Sequence, residues 1–132
     1  MRITPPTKIE IKPSKGKGLG VFATEDIIIN EIIEEVAILP VRNKDEDGNF
    51  TAFDYRFAFP FGPNPKENVI GLGYACFYNH SDDPNAKWGN DPRQRGFLFY
   101  AVKNIKAGEE ILVYYGGKEY WDQRPHVKKI WI

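Results

Sequence analysis

Phe77-Tyr78-Asn79-His80-Ser81 is the stretch on which the fold turns, and it is read together with Tyr114-Tyr115-Gly116 near the end of the chain. The apolar run Ala75-Cys76-Phe77-Tyr78 predicts a buried strand, and an Asn-His pair follows it directly. Polar side chains at the end of a buried strand cost free energy unless something bonds them. A ligand is one candidate for that partner.

On either side of this stretch the sequence reads as short strands and turns. Ile9-Glu10-Ile11-Lys12 alternates and predicts a strand, and Lys15 to Gly20 is a glycine-rich loop before a strand at Val21-Phe22-Ala23. Glu31 to Leu39 is rich in Ile and Val, a strand closed by Pro40, and Lys44 to Asn49 is a charged turn. The segment Tyr55 to Phe59 is apolar but of undecided type, and Pro60 to Pro65 is a proline-rich loop. Phe97 to Val102 and Ile111 to Tyr115 are further runs of strand length. No helical periodicity is sustained, so the expected class is mostly β. Ala23-x3-Ile27-x2-Asn30-Glu31-x-Ile33 matches Ala101-x3-Ile105-x2-Gly108-Glu109-x-Ile111 in spacing. Both read as strand, tight turn, strand, with Asn30 and Gly108 at the position that best tolerates left-handed φ. One common turn type used twice suffices to explain the match.

The 132 residues suit one domain spanning 1–132, and a chain of this length buries roughly two-thirds of its unfolded surface. A single cysteine, Cys76, excludes an intramolecular disulfide and a cysteine-based zinc site, and points to a reducing, intracellular compartment. Lys plus Arg and Asp plus Glu both total 18, for a formal net charge of +0. That balance argues against direct nucleic-acid binding, which draws on basic excess. Met1 to Pro6 lacks a signal-peptide core, and no run has the length of a membrane span.

Single motifs leave their chemistry open. Gly16-Lys17-Gly18-Leu19-Gly20 offers backbone amides to a ligand but matches neither the dinucleotide fingerprint nor the P-loop, and a plain hairpin turn explains it as well. His80 and Ser81 are neighbours that point to opposite faces of a strand, so they do not pair as base and nucleophile. His126 is the one other histidine, and the two have no recognisable metal-ligand spacing. Tyr114-Tyr115-Gly116-Gly117 ends a strand at a glycine turn, where a tyrosine either presents its hydroxyl to a cleft or covers the rim. Trp121 either stacks on a flat ligand or covers the core.

Taken in order, the motifs are Gly18-Leu19-Gly20-Val21-Phe22-Ala23, then Phe77 to Ser81 with Pro84-Asn85-Ala86, then Gly108-Glu109-Glu110-Ile111 running into Tyr115-Gly116. This series resembles the SET domain of protein-lysine methyltransferases. The motif-bearing core runs from about Ile9 to Trp121, leaving a tail of residues 122–132. The segment Tyr120 to Pro125 looks most like the minimal SET proteins of large algal viruses.

The resemblance implies a fold of small curved sheets, β-clip-like, with a pseudoknot-like crossing near the C-terminus that brings Asn79-His80 beside Tyr115. It implies S-adenosylmethionine as methyl donor, held by the backbone around Lys17, Gly18 and Leu19, by Asn79 and His80, and by Trp121 against the adenine. The implied substrate is a lysine side chain, of a histone by family analogy, in a channel lined by Tyr55, Tyr78, Tyr120 and Val113. Tyr115 would be the catalytic tyrosine. Asn85 would brace the motif loop. The implied location is intracellular, nuclear where the substrate is a histone. Two departures from the family matter. Asp82 stands where many relatives have cysteine, and no cysteine cluster follows, so no metal is expected. Val113 stands where many relatives carry Phe or Tyr, which predicts room for di- or trimethylation. A non-catalytic lysine-peptide-binding module is the alternative. Ile130-Trp131-Ile132 either packs on its own domain or forms a homodimer contact.

Overall fold

Glycine at 16 and 18 lets the chain reverse on itself between two alternating segments, and the first hairpin results. Strands β1 (Ile9–Ser14) and β2 (Gly18–Ala23) pair antiparallel from Ile9↔Ala23 to Ser14↔Gly18. The turn is closed by Lys17 N–H donating to the Ser14 carbonyl at 3.0 Å. The second strand therefore begins inside the glycine-rich stretch that the sequence marks as loop. The computed structural model describes residues 3–40, 58–61, 67–91 and 96–118.

The remaining strands in chain order are β3 (Ile32–Pro40), β4 (Ala58–Phe61), β5 (Glu67–Gly71), β6 (Asn79–His80), β7 (Ala86–Asn90), β8 (Gly96–Ala101) and β9 (Glu110–Val113). They form two curled sheets, ordered β1-β2-β9-β6 and β4-β5-β3-β8-β7. The expected mostly-β class is what the chain adopts, with one 3₁₀ turn at Ala75–Phe77 among the described residues. Strands β5 and β7 escape the sequence reading because they are short and broken by Asn and Gly.

Ala75 to Tyr78 is not the expected buried strand. Ala75–Phe77 is that single 3₁₀ turn, and Tyr78 resumes extended backbone at φ −68° and ψ 125°. The turn lets Ala75 and Tyr78 both face the core, while Phe77 between them lies exposed. An apolar run too short for a helix does not by itself separate these outcomes.

The two spaced repeats turn out to pair with each other about a local two-fold. Ile27 and Ile105 exchange both backbone hydrogen bonds, at 2.7 and 2.8 Å. Asn30 N–H donates to the Ala101 carbonyl and Gly108 N–H to the Ala23 carbonyl, at 2.8 and 2.7 Å. Even the side chains obey the symmetry: Asp26 Oδ1 accepts from Ala107 N–H and Asn104 Oδ1 from Ile29 N–H, both at 2.9 Å. The two turn residues have φ of 73° for Asn30 and 90° for Gly108, as the sequence anticipates. This paired unit starts β3 and β9, one strand in each sheet, and so ties the sheets together. Ile27 and Ile105 lie at its centre, buried in a core with Val21, Val36, Phe97, Phe99 and Ile111.

Candidate functional site

Strand β9 enters the first sheet between β2 and the two-residue β6. It runs antiparallel to β2 and parallel to β6, with Asn79 opposite Leu112 and His80 opposite Val113. Parallel neighbours need a long connection, and the 29 residues from Ser81 to Glu109 supply it. Ser81 N–H extends the ladder by donating to the Val113 carbonyl at 2.9 Å. Asn85 holds β9 from the side: its Nδ2 donates to the Glu110 carbonyl at 2.9 Å and its Oδ1 accepts from Leu112 N–H at 2.8 Å. The side-chain bonds thus go to β9, whereas the sequence reading has Asn85 bracing the motif loop.

This pairing sets Tyr115 against the Asn79-His80 segment at two points. Tyr115 N–H donates to His80 Nδ1 at 2.9 Å. The Tyr115 hydroxyl donates to the Tyr78 carbonyl. The His80 and Tyr115 rings lie 5.3 Å apart between centroids, and the Tyr114 ring lies 5.4 Å from that of His80. His80 Nε2 meets Asp82 Oδ1 at 2.8 Å.

Asn79 is wholly buried and spans the gap between β2 and β9. Its Nδ2 donates to the Leu19 carbonyl at 3.1 Å and to Glu110 Oε2 at 2.7 Å. Glu110 Oε1 in turn accepts from the Ser14 hydroxyl at 2.8 Å. Gly20 leaves room for this pair: a Cβ would stand 2.4 Å from Glu110 Oε2 and 2.9 Å from Asn79 Nδ2, so a side chain there would have to displace them. Asn79 Oδ1 is buried and has no hydrogen-bond partner among the described residues. A buried acceptor without a donor is uncommon and calls for an explanation. A bound group carrying N–H fits it.

Of the residues singled out from sequence, the fold brings Leu19, Asn79, His80, Val113, Tyr115 and the Tyr78 main chain together. Lys17 lies in the adjoining hairpin turn and Gly18 begins β2 beside it. The Tyr78 side chain does not present its ring to a channel: it is 1% exposed, stacks on Phe99 at 4.3 Å, and donates its hydroxyl to Glu34 Oε1 at 2.8 Å. What Tyr78 offers to Tyr115 is its carbonyl. Val113 is 3% exposed and belongs to the core. Tyr55, Tyr120 and Trp121 lie outside the described residues.

Three carboxylates have a place at the site that the sequence reading gave to none of them. Glu110, Asp82 and Glu34 bond Asn79, His80 and Tyr78 respectively. The only signal was that Glu110 stands inside a motif and Asp82 beside one. Burial pushes the Glu34 carboxyl above its ordinary value, against the opposing pull of Tyr74 N–H and the Tyr78 hydroxyl. Burial likewise lifts the Tyr78 phenol, and it lifts the Cys76 thiol to about 11 with help from the Glu34 charge. Among the described residues no group of three or more His, Cys, Asp or Glu is placed to hold a metal ion.

The SET domain family model matches residues 18–116. The chain is 30% identical over 111 residues to a histone-lysine N-methyltransferase of Schizosaccharomyces pombe described as H3 lysine-37 specific, covering 82% of this chain and 73% of that protein. It also matches a solved Plasmodium falciparum protein, provisionally described as a histone methyltransferase, with TM-score 0.67 and 32% identity over 85% of this chain and 96% of that one.

Proposed function

The chain belongs to the SET domain family, and its likeness to a histone-lysine N-methyltransferase supports lysine methyl transfer; from that premise we propose that it moves a methyl group from S-adenosylmethionine to the side-chain amine of a lysine in a histone. The observation that carries the proposal is the double attachment of Tyr115 to the Asn79-His80 segment, through its N–H to His80 and its hydroxyl to the Tyr78 carbonyl.

The orphaned Asn79 Oδ1 supports a ligand with N–H donors beside Leu19, and the α-ammonium of S-adenosylmethionine is such a donor. In the proposal Asn79, His80 and the backbone of Lys17, Gly18 and Leu19 hold this cofactor, with Trp121 covering its adenine. When bound, it supplies a methyl group activated by a sulfonium charge.

The chain's own work is to present a neutral amine in line with that methyl. A free lysine titrates at about 10.4, so only ~0.1% or less is neutral at about pH 7. An apolar, water-poor channel lowers that value by disfavouring the ammonium. Tyr115 orients the amine, its phenol held in place at the hydroxyl and at the main chain, so the contribution is one of positioning. The Tyr78 carbonyl is an acceptor on the same spot. No side chain of the cluster needs to act as a general base when deprotonation precedes or accompanies entry of the lysine. Val113, smaller than the aromatic of many relatives, belongs to the proposal as the residue that leaves room for a second and third methyl group. With a histone as substrate the proposal places the protein in the nucleus, and with another substrate in the cytoplasm; Ile130-Trp131-Ile132 either packs on its own domain or forms a homodimer contact.

Labelled methyl transfer from S-adenosylmethionine to a panel of histone and non-histone peptides tests the reading. Label on a histone peptide is the expected result. A second measurement is thermal melting with cofactor at about a hundred times its Kd, which stabilises by ~2.7 kcal/mol. Stabilisation without transfer to any peptide would favour a binding module that retains the fold. No stabilisation and no transfer would overturn the proposal.

A further inference from the structure

Strand β3 carries a bulge that decides where one carboxylate goes. Ile32 faces Tyr100 on β8, yet Glu34 faces Phe99, so the register slips between them. A bulge re-aims side chains, and here it breaks the alternation of the strand. Ile32 is 53% exposed, and strict alternation would have turned Glu34 out beside it. Instead Ile33 and Glu34 are both buried, at 6% and 3%.

Both oxygens of the buried carboxylate are taken. Oε2 accepts from Tyr74 N–H at 2.9 Å and Oε1 from the Tyr78 hydroxyl at 2.8 Å. Tyr74 and Tyr78 are the residues on either side of the Ala75–Phe77 turn. Glu34 therefore clamps both ends of the turn that delivers Asn79-His80 to the other sheet. Phe99, its neighbour across the bulge, is the residue on which the Tyr78 ring stacks. Hydroxyl and ring are thus held by adjacent strands, and what remains of Tyr78, its carbonyl, receives the Tyr115 hydroxyl.

We infer that Glu34 is a positioning residue of the transfer site: by holding Tyr78 at its hydroxyl it fixes the carbonyl against which Tyr115 is set. The inference rests on the methyl-transfer reading of that site. A buried ion is a poor device for stability alone, because apolar packing of the same volume does as well or better. A requirement for one defined geometry explains its presence here.

Two variants test the clamp. Tyr78→Phe removes the hydroxyl and keeps the ring that stacks on Phe99. Glu34→Gln keeps the side-chain shape but offers one acceptor where two donors point. Kinetics are taken well below each variant's melting temperature. The expected result is a kcat lower by about tenfold or more in each, with KM for S-adenosylmethionine within about twofold of wild type, and a double variant no slower than the slower single. A Glu34 that only held the core together would lower the melting temperature and leave kcat at the wild-type value, and that result overturns the inference. If Glu34→Gln does not fold, Tyr78→Phe decides alone. The ring resonances of Tyr115 in isotope-labelled protein give a readout free of turnover. They shift in Tyr78→Phe when the clamp acts, and their constancy overturns it. An inactive wild type whose Tyr115 resonances still respond to Tyr78→Phe would count against methyl transfer and leave the clamp standing.

Discussion

Tyr115 N–H donates to Nδ1 of His80 across 35 positions of chain, at 2.9 Å. A ring nitrogen that accepts carries no proton, so the imidazole proton sits on Nε2 and is donated to Asp82. Nδ1 of His80 is thus engaged by the Tyr115 main chain. His80→Phe keeps a ring beside Tyr114 and Tyr115 and removes the acceptor. Turnover is expected to drop by about tenfold or more, and the Tyr115 amide to exchange faster with deuterium. Wild-type exchange at that amide would show that the bond does not hold it.

Tyr115→Phe is expected to cost about a hundredfold or more in turnover, the scale seen when one oriented donor is removed from a reacting centre. The fold is expected to survive, because one hydrogen bond contributes only about 1 kcal/mol net. Steady-state kinetics and a melting curve on the same sample check both halves.

Asn79→Asp places a carboxylate where an amide now donates to the Leu19 carbonyl and to Glu110 Oε2. Two acceptors would then face a buried anion. The expected loss is about 3 kcal/mol or more of stability, as for a buried charge left without its partner, read from the urea midpoint.

Val113→Phe is expected to shift the products from di- and trimethyl-lysine toward monomethyl-lysine, as mass spectra of the peptide would show. Val113 is 3% exposed, so the larger ring also costs about 1–3 kcal/mol in overpacking. Monomethyl product alone from the unaltered chain would refute the role given to Val113.

Burial holds the Glu34 carboxyl above its ordinary 4.5. Between 4.5 and its own raised value, the folded chain keeps a proton that the unfolded chain has released. Stability therefore falls as pH rises through that window, and the Glu34 contribution is complete only below it. Glu31, drawn below 4.5 by its hydrogen bond with Lys8, acts with the opposite sign on the acid side of the window. Urea unfolding of wild type and Glu34→Gln at about pH 5 and about pH 8 is expected to show the slope reduced in the variant. Equal slopes would remove Glu34 as its source.

Much of this molecule was legible as sequence, because the interactions concerned are local. Alternation marked β1, richness in Ile and Val marked β3, an apolar run marked β8, glycine marked the first hairpin, and the spacing of two short repeats marked matching turns at Asn30 and Gly108. The motif order was enough to identify the family, and the Asn-His pair and Tyr115 drew notice as polar groups at strand ends. Other features depended on partners far away in the chain. No local signal told that the repeats at Ile27 and Ile105 would bond each other rather than merely share a turn. Glu34 reads as an ordinary strand residue until Phe99 sets its register, and Ala75-Cys76-Phe77 reads as strand until Glu34 caps both ends of the turn. Local periodicity is written in the order of residues, whereas register, burial of a charge and the meeting of Tyr115 with His80 are set by which strands pair, and only the assembled sheets decide that.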